Sequence, residues 1–177
     1  SMNATQPQSR LCHFYLLLLA GALALYLLSM APGMLWQDSG MSQVRVLQRD
    51  LYGYHGLALS HPLYYLVAFA FQLLPFGASA FKTNLVSAVF GALTVANVGL
   101  LLRLATGRRT GAIIGAVALA VAHTFWQHCA LAEVYTLTTA LLTLELLCLV
   151  QYARTGRLGW LVLLMVVNGV NVSNHLM

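Results

Sequence analysis

The sequence predicts an all-α fold, a polytopic bundle of membrane-spanning helices. Three observations carry this expectation. Hydrophobic residues make up 60% of the 177 and charged residues only 7%, with a mean hydropathy of +0.78, far from the roughly 25% charged residues of soluble domains. Five apolar runs, at about 11–31, 81–104, 111–130, 134–153 and 158–177, each approach the roughly 20 residues that a bilayer core requires. Short Gly- or Arg-bearing turns separate the last three.

The run from Leu11 is too long for a signal peptide and lacks a small-residue cleavage site, so it reads as a retained anchor. Ser1 before Met2 reads as a cloning remnant. After Pro32 and Gly33 end this first span, the stretch MSQVRVLQRDLYGY (41–54) carries Val44, Leu47 and Leu51 at helical spacing, with Arg45, Arg49 and Asp50 between them. That pattern predicts an amphipathic helix in the membrane interface. HPLYYLVAFAFQLLPFG is apolar for too few residues to span and predicts a second interfacial helix at about 62–76. Residues 1–177 thus read as a single transmembrane module, and the apolar end at NVSNHLM leads us to expect a longer protein.

Basic residues set the expected orientation. If the 62–76 segment does not cross and the N-terminus is cytoplasmic, Arg10, Arg103, Arg108, Arg109, Arg154 and Arg157 lie inside, against Arg45, Arg49 and Lys82 outside. If it crosses, only Arg10 and Lys82 remain inside. The positive-inside rule selects the first arrangement. It carries Asp38, His55, His61, Lys82, Glu133, Tyr135, Asn174 and His175 to one external membrane level. On such a chain the net charge of +5 reports topology, and no nucleic-acid partner is expected.

Asp38, in LWQDSGMSQ, has two readings: a general base for a hydroxyl nucleophile, or an interfacial helix cap, because Asp-Ser-Gly is also good capping chemistry. Glu133 and Tyr135, in WQHCALAEVYT, start a helix whose dipole favours the carboxylate; a ligand role and a plain charged turn with a belt tyrosine both fit. His61 precedes Pro62, which predicts an extended backbone exposing the ring. Asn168, Asn171 and His175 form one polar stripe with Asn174 beside it, facing protein or water and not lipid; hydrogen bonding to other helices and direct substrate contact both fit. Glu145 lies about 18 Å deeper than Glu133 at the usual helical rise, where pairing with Thr or Asn makes it packing glue. Gly111 and Gly115 predict close helix packing. Cys12, Cys129 and Cys148 show no CxxC spacing, so no zinc site or disulfide frame is indicated. No metal ligands are assigned; the sequence calls for no cofactor and leaves a divalent metal open. Nucleotide-binding, serine-hydrolase and zinc-protease motifs are missing.

Several of these pieces occur together in one known pattern. Asp-Ser-Gly after the first span, His-Pro followed by Leu-Tyr, LLPFG, KTNL, WQ…AEVYTL and the terminal Asn-His together resemble the protein O-mannosyltransferase-like family within the GT-C glycosyltransferases, over roughly residues 30–177. The resemblance implies a GT-C-like N-terminal module with interfacial helices after the first span. It also implies a polyprenyl-phosphate-linked sugar donor, a protein or glycan acceptor, and Asp38 as catalytic base. The chain departs from the pattern at Met41, where Glu is common, and at the single Pro62, so the loop lacks a second carboxylate.

The functional expectation is therefore a multi-pass glycosyltransferase module that moves a sugar from a polyprenyl-phosphate carrier to an acceptor hydroxyl at the external, periplasmic or lumenal face. Asp38 would be the base, with Lys82, and Arg45 or Arg49 beside it, for the phosphate. His61, Glu133, Tyr135, Asn174 and His175 complete the expected substrate-binding set. The alternative is a non-catalytic binder of lipid-linked sugar, or a membrane assembly subunit, with the same cleft and no competent base. A transporter would concentrate its charges at mid-membrane, where only Glu145 qualifies.

Overall fold

A computed structural model describes residues 8–54, 56–57 and 60–174, and all regular structure among them is helical. Helix α1 is Gln8–Ser29, α2 Gln37–Gln48, α3 Pro62–Phe71, α4 Ser79–Thr106, α5 Arg109–Ala120, α6 His123–Ala130, α7 Tyr135–Thr155 and α8 Gly159–Val172. Three of them, α1 from Ser9, α4 and α7, are long and apolar enough to cross a membrane. The chain is thus all-α, with three candidate membrane-spanning helices.

Helix α4 is the axis of the bundle. Its small and polar residues Asn84, Ser87, Gly91, Thr94 and Asn97 recur every three or four positions and are all buried, so one stripe faces its neighbours. Alanines do the same work between α4 and α5, where Ala88 and Ala92 share a core with Ala116 and Ala120. Small side chains let backbones approach closely, which is how helices associate where lipid removes the usual hydrophobic drive.

Hydrogen bonds along the stripe fix the direction of each neighbour. Tyr15 donates to Asn97 Oδ1 at 2.9 Å while Asn84 Nδ2 donates to the Ala31 carbonyl at 2.8 Å, so α1 and α4 run antiparallel. The α4–α7 pairs advance together: Ser87 with Glu133, Thr94 with Thr139, Asn97 with Thr143. Those two helices are parallel. Helix α8 returns antiparallel to α7, since Asn168 and Asn171 donate to Glu145 and Asn174 to Thr138. Glu145 is therefore held by two amides of α8. The bundle has two distinct ends. One gathers the start of α1, the end of α4 and the end of α7; the other gathers residues 29–38, 84–87, 133–138 and 174.

Several elements differ from the sequence expectation. The 111–130 run is not one straight span: α5 and α6 are bent by 63° at Val121–Ala122. Helix α6 turns because its side chains have targets near the end of α1. Trp126 Nε1 donates to Ser29 Oγ at 2.9 Å, the Ala130 carbonyl accepts from Ala31 N, and Cys129 fills the space beside Gly91 where a Cβ would collide. The amphipathic helix starts at Gln37, before Met41, and ends at Arg49, whose left-handed backbone closes it onto the Arg45 and Val46 carbonyls. Helix α3 stops at Phe71, short of residue 76. Of the expected glycine pair only Gly115 meets a neighbour, Leu102 of α4; Gly111 faces open space.

Candidate active site

The turn that carries Asp38 is assembled by buried amides. Gln43, almost wholly buried, accepts from Leu35 N through Oε1 at 2.9 Å and donates through Nε2 to the Gly33 carbonyl at 3.1 Å and Asn84 Oδ1 at 2.8 Å. Asn84 in turn donates to the carbonyls of Ala31 and Gly33. Two amides thus bond the Leu35 N–H and the Ala31 and Gly33 carbonyls in the turn between α1 and α2. Gln37 adopts φ 54°, a conformation uncommon outside glycine, and Gly40 sits where a Cβ would strike the Leu35 carbonyl. The Asp-Ser-Gly motif therefore needs its glycine for a close approach to the backbone.

Asp38 lies in the first turn of α2, exposed, and the positive end of that helix suits a negative charge. It is not the helix cap that one sequence reading allowed: the N-cap is Trp36, and no side chain makes a capping bond there. Its neighbour Ser39 is buried and donates to Glu133 Oε1 at 2.7 Å. Glu133 is itself positioned by Ser87 of α4, which accepts from its N–H at 2.9 Å and donates to its carbonyl at 3.1 Å. A carboxylate from the α6–α7 turn thereby reaches the Asp-Ser-Gly turn, whose own loop carries Met41 in place of an acid.

The network continues from Glu133. The carbonyl of Val134 accepts from Asn174 Nδ2 at 3.1 Å, and the Asn174 carbonyl lies 2.6 Å from His61 Nδ1. Asn174 is fully buried, so it ties α8 to the start of α7 and to the entry of α3. His61 is not extended: it adopts φ 57°, ψ 54° at the N-cap of α3. The proline that follows acts against the right-handed helical region, and a left-handed residue, which costs roughly 1–2 kcal/mol, turns the ring back toward Asn174. Tyr135 is exposed, with its ring 5.0 Å from that of His128.

Two expected residues have other partners. Arg45 turns away to its own C-terminal loop, donating to the Leu51 carbonyl at 3.2 Å, lying 3.7 Å from Asp50 and stacking over Tyr65 at 3.8 Å. It packs so tightly against Gly53 that a Cβ there would touch the guanidinium. It thus lies against the loop between α2 and α3. In the same loop Asp50 accepts from Tyr52 N and Gly53 N, both at 3.0 Å. The Gly53 N–H first, then Tyr52 N–H and Arg45, hold its carboxyl below the ordinary value. Lys82 donates to the Gln72 carbonyl at 3.2 Å, capping the end of α3 with one of its three donors. His175 lies outside the described residues, as does His55. Among the described residues no cluster of three His, Cys, Asp or Glu side chains forms a metal site.

Sequence reasoning passed over Ser39, Gln43 and Ser87 as individual residues. The polar spacing of α4, with Asn84 and Ser87 three apart inside an apolar span, was the available signal.

Residues 60–177 match the family described as Protein O-mannosyl-transferase TMEM260 N-terminal domain. The chain belongs to this family. No curated protein and no solved structure matches the chain. The matched region starts at Ser60 and includes His61, Lys82, Glu133, Tyr135, Asn174 and His175; Asp38 and Arg45 precede it. The protein O-mannosyl-transferase family name thus stands beside a membrane-type helical bundle whose polar residues meet at one end.

Proposed function

We propose that the chain is the N-terminal module of a GT-C-type glycosyltransferase that transfers a sugar, mannose by the family name, from a polyprenyl-phosphate carrier to a hydroxyl of a protein or glycan acceptor. One observation carries the reading. Asp38, exposed and uncapped, is joined through Ser39 to Glu133, and through Val134 to Asn174 and His61. Residues far apart in sequence are thereby linked at the end of the bundle that carries Asp38.

In the proposed reaction Asp38 takes the proton of the acceptor hydroxyl as its oxygen attacks C1 of the sugar. The C1–O bond to phosphate breaks, and the polyprenyl phosphate leaves with the electron pair. Lipid phosphate is a good leaving group, so the site must supply a base, positive charge and positioning. Lys82 is the candidate for the charge, with donors left beyond Gln72. Arg45, bonded to Asp50 and Leu51, serves by holding the α2–α3 loop. Asn174 and His61, tied to the start of α7 at the same end of the bundle, would help bind the substrate, and Tyr135 offers a ring for a sugar face.

We place this end on the external or lumenal side and the N-terminus in the cytoplasm. The division of basic residues supports it, because Arg10, Arg103 and Arg109 line one cleft at the far end of the bundle, where Arg154 also reaches the Leu104 carbonyl.

The donor class is directly testable. Full-length protein supplied with polyprenyl-phosphate mannose and a hydroxyl-bearing acceptor peptide should form mannosylated peptide, and nucleotide-linked mannose should give none. Transfer from the nucleotide sugar alone would overturn the donor assignment.

A further inference from the structure

Tyr64, in the first turn of α3, carries a polar group that no neighbour satisfies. Its side chain is 0% exposed, and its buried hydroxyl has no hydrogen-bond partner among the described residues. A buried hydroxyl left so is costly, and phenylalanine would fill the same ring space without it. The next residue behaves differently. Tyr65 donates to Ser42 Oγ at 3.4 Å and braces the Tyr64 ring edge-on, with the centroids 5.4 Å apart.

The Tyr64 ring packs in one core with Val46 of α2, Val86 of α4 and Val134 at the start of α7. Val86 precedes Ser87 and Val134 follows Glu133, and these two residues reach the Asp-Ser-Gly turn through Ser39. Burial first, then Tyr65 and the Glu133 carboxylate, push the pKa of the Tyr64 hydroxyl up, while the Ser87 hydroxyl acts the other way. At neutral pH it is therefore a donor, close enough to a carboxylate to feel its charge. Glu133 is half-buried and accepts from Ser39 at Oε1, which takes one of the roughly four acceptor sites of a carboxylate. Rotation about its side-chain bonds can bring another toward a ring that the core holds fixed. We propose that Tyr64 is a positioning residue of the transfer site: its hydroxyl is the second donor to the Glu133 carboxylate, and the two donors together aim Glu133 at Ser39 and steady the turn that carries Asp38. The bond concerns this core alone; its part in transfer rests on the proposed reading of Asp38 as the base.

The test is Tyr64→Phe in the full-length protein, read in two ways. Infrared difference spectroscopy against Glu133→Gln isolates the Glu133 carboxylate band, and losing a donor should shift that band in Tyr64→Phe. This readout needs no activity. In single-turnover transfer from polyprenyl-phosphate mannose, Tyr64→Phe should lower the rate about three- to tenfold, and the double variant with Glu133→Gln should be no slower than Glu133→Gln alone, because residues acting through one contact are not additive. Donor KM should stay nearly unchanged. Tyr26→Phe is the comparison: it removes a buried hydroxyl that donates to the Ala120 carbonyl at 3.2 Å, so it should lower the unfolding temperature and leave transfer by the folded protein intact. An unmoved carboxylate band, unaltered transfer in Tyr64→Phe, or losses that multiply in the double variant would overturn the proposal. Should the unmodified protein transfer no mannose, the transfer reading fails, and the band alone decides whether Tyr64 holds Glu133.

Discussion

The two ends of the bundle are built on opposite plans. At the Asp38 end the chain spends buried amides, a left-handed glutamine and a left-handed histidine on holding a short turn against α4 and α7. At the arginine end the turns are simple: Gly107 and Gly156 close α4 and α7 in left-handed conformations, and Arg10, Arg103 and Arg109 line a cleft. Backbone strain persists only where the surroundings enforce it, and it concentrates at functional sites. The contrast fits the proposed placing of the transfer site at the Asp38 end.

Breaking the amide scaffold should have the largest effect on stability. Asn84→Leu removes a partner of Gln43 and the donors to two loop carbonyls, and each buried polar group so orphaned costs about 1–3 kcal/mol. Thermal unfolding in detergent should show a clear loss, while Arg154→Gln at the other end, an exposed residue, should change it by at most about 0.5 kcal/mol. Comparable losses would erase the distinction between the ends. Next in size is Glu133→Gln, which keeps an acceptor for Ser39 but turns a charged hydrogen bond into a neutral one of roughly half the strength. Sugar transfer should fall severalfold with little change in unfolding temperature, and Ser39→Ala should reproduce the loss. The smallest effect belongs to Asp50. Its folded carboxyl is held below the ordinary 3.8, so its contribution is fully present above that value and is lost as pH falls through the lower folded one. Asp50→Asn should flatten this acid limb of stability, measured by unfolding across pH 2–5 (an order-of-magnitude window around the ordinary carboxylate range), and leave neutral pH nearly unchanged.

The fold was legible where hydrophobic length decides it. Helices α1, α4 and α7 follow from their apolar runs because a span must bury every backbone group within itself. The break between α5 and α6 was not legible: Val121 and Ala122 are ordinary helix residues, and the bend answers to Ser29 and Gly91, more than thirty positions away in sequence. The same holds at the candidate site. The carboxylates and histidine could be singled out by type, because ionisable groups at membrane depth are costly. Ser39 and Ser87 could not, since a serine near the end of an apolar segment is commonplace until its partner is known. His61 shows the limit of a local rule: the preceding-proline preference excludes one backbone region, and a contact 113 residues distant selects among the others. Arg45 reads as a phosphate ligand by charge alone, and the fold gives it to Asp50 and Tyr65.

Asp38 is the proposed base, and replacing only its charge tests that most directly. In the full-length protein Asp38→Asn keeps the size of the side chain and the α2 turn, and general-base assistance is worth roughly 10² to 10⁴ in rate. Single-turnover transfer from polyprenyl-phosphate mannose should fall by that factor, with unfolding temperature and donor retention close to those of the unmodified protein. Transfer by Asp38→Asn at the unmodified rate would contradict the assignment.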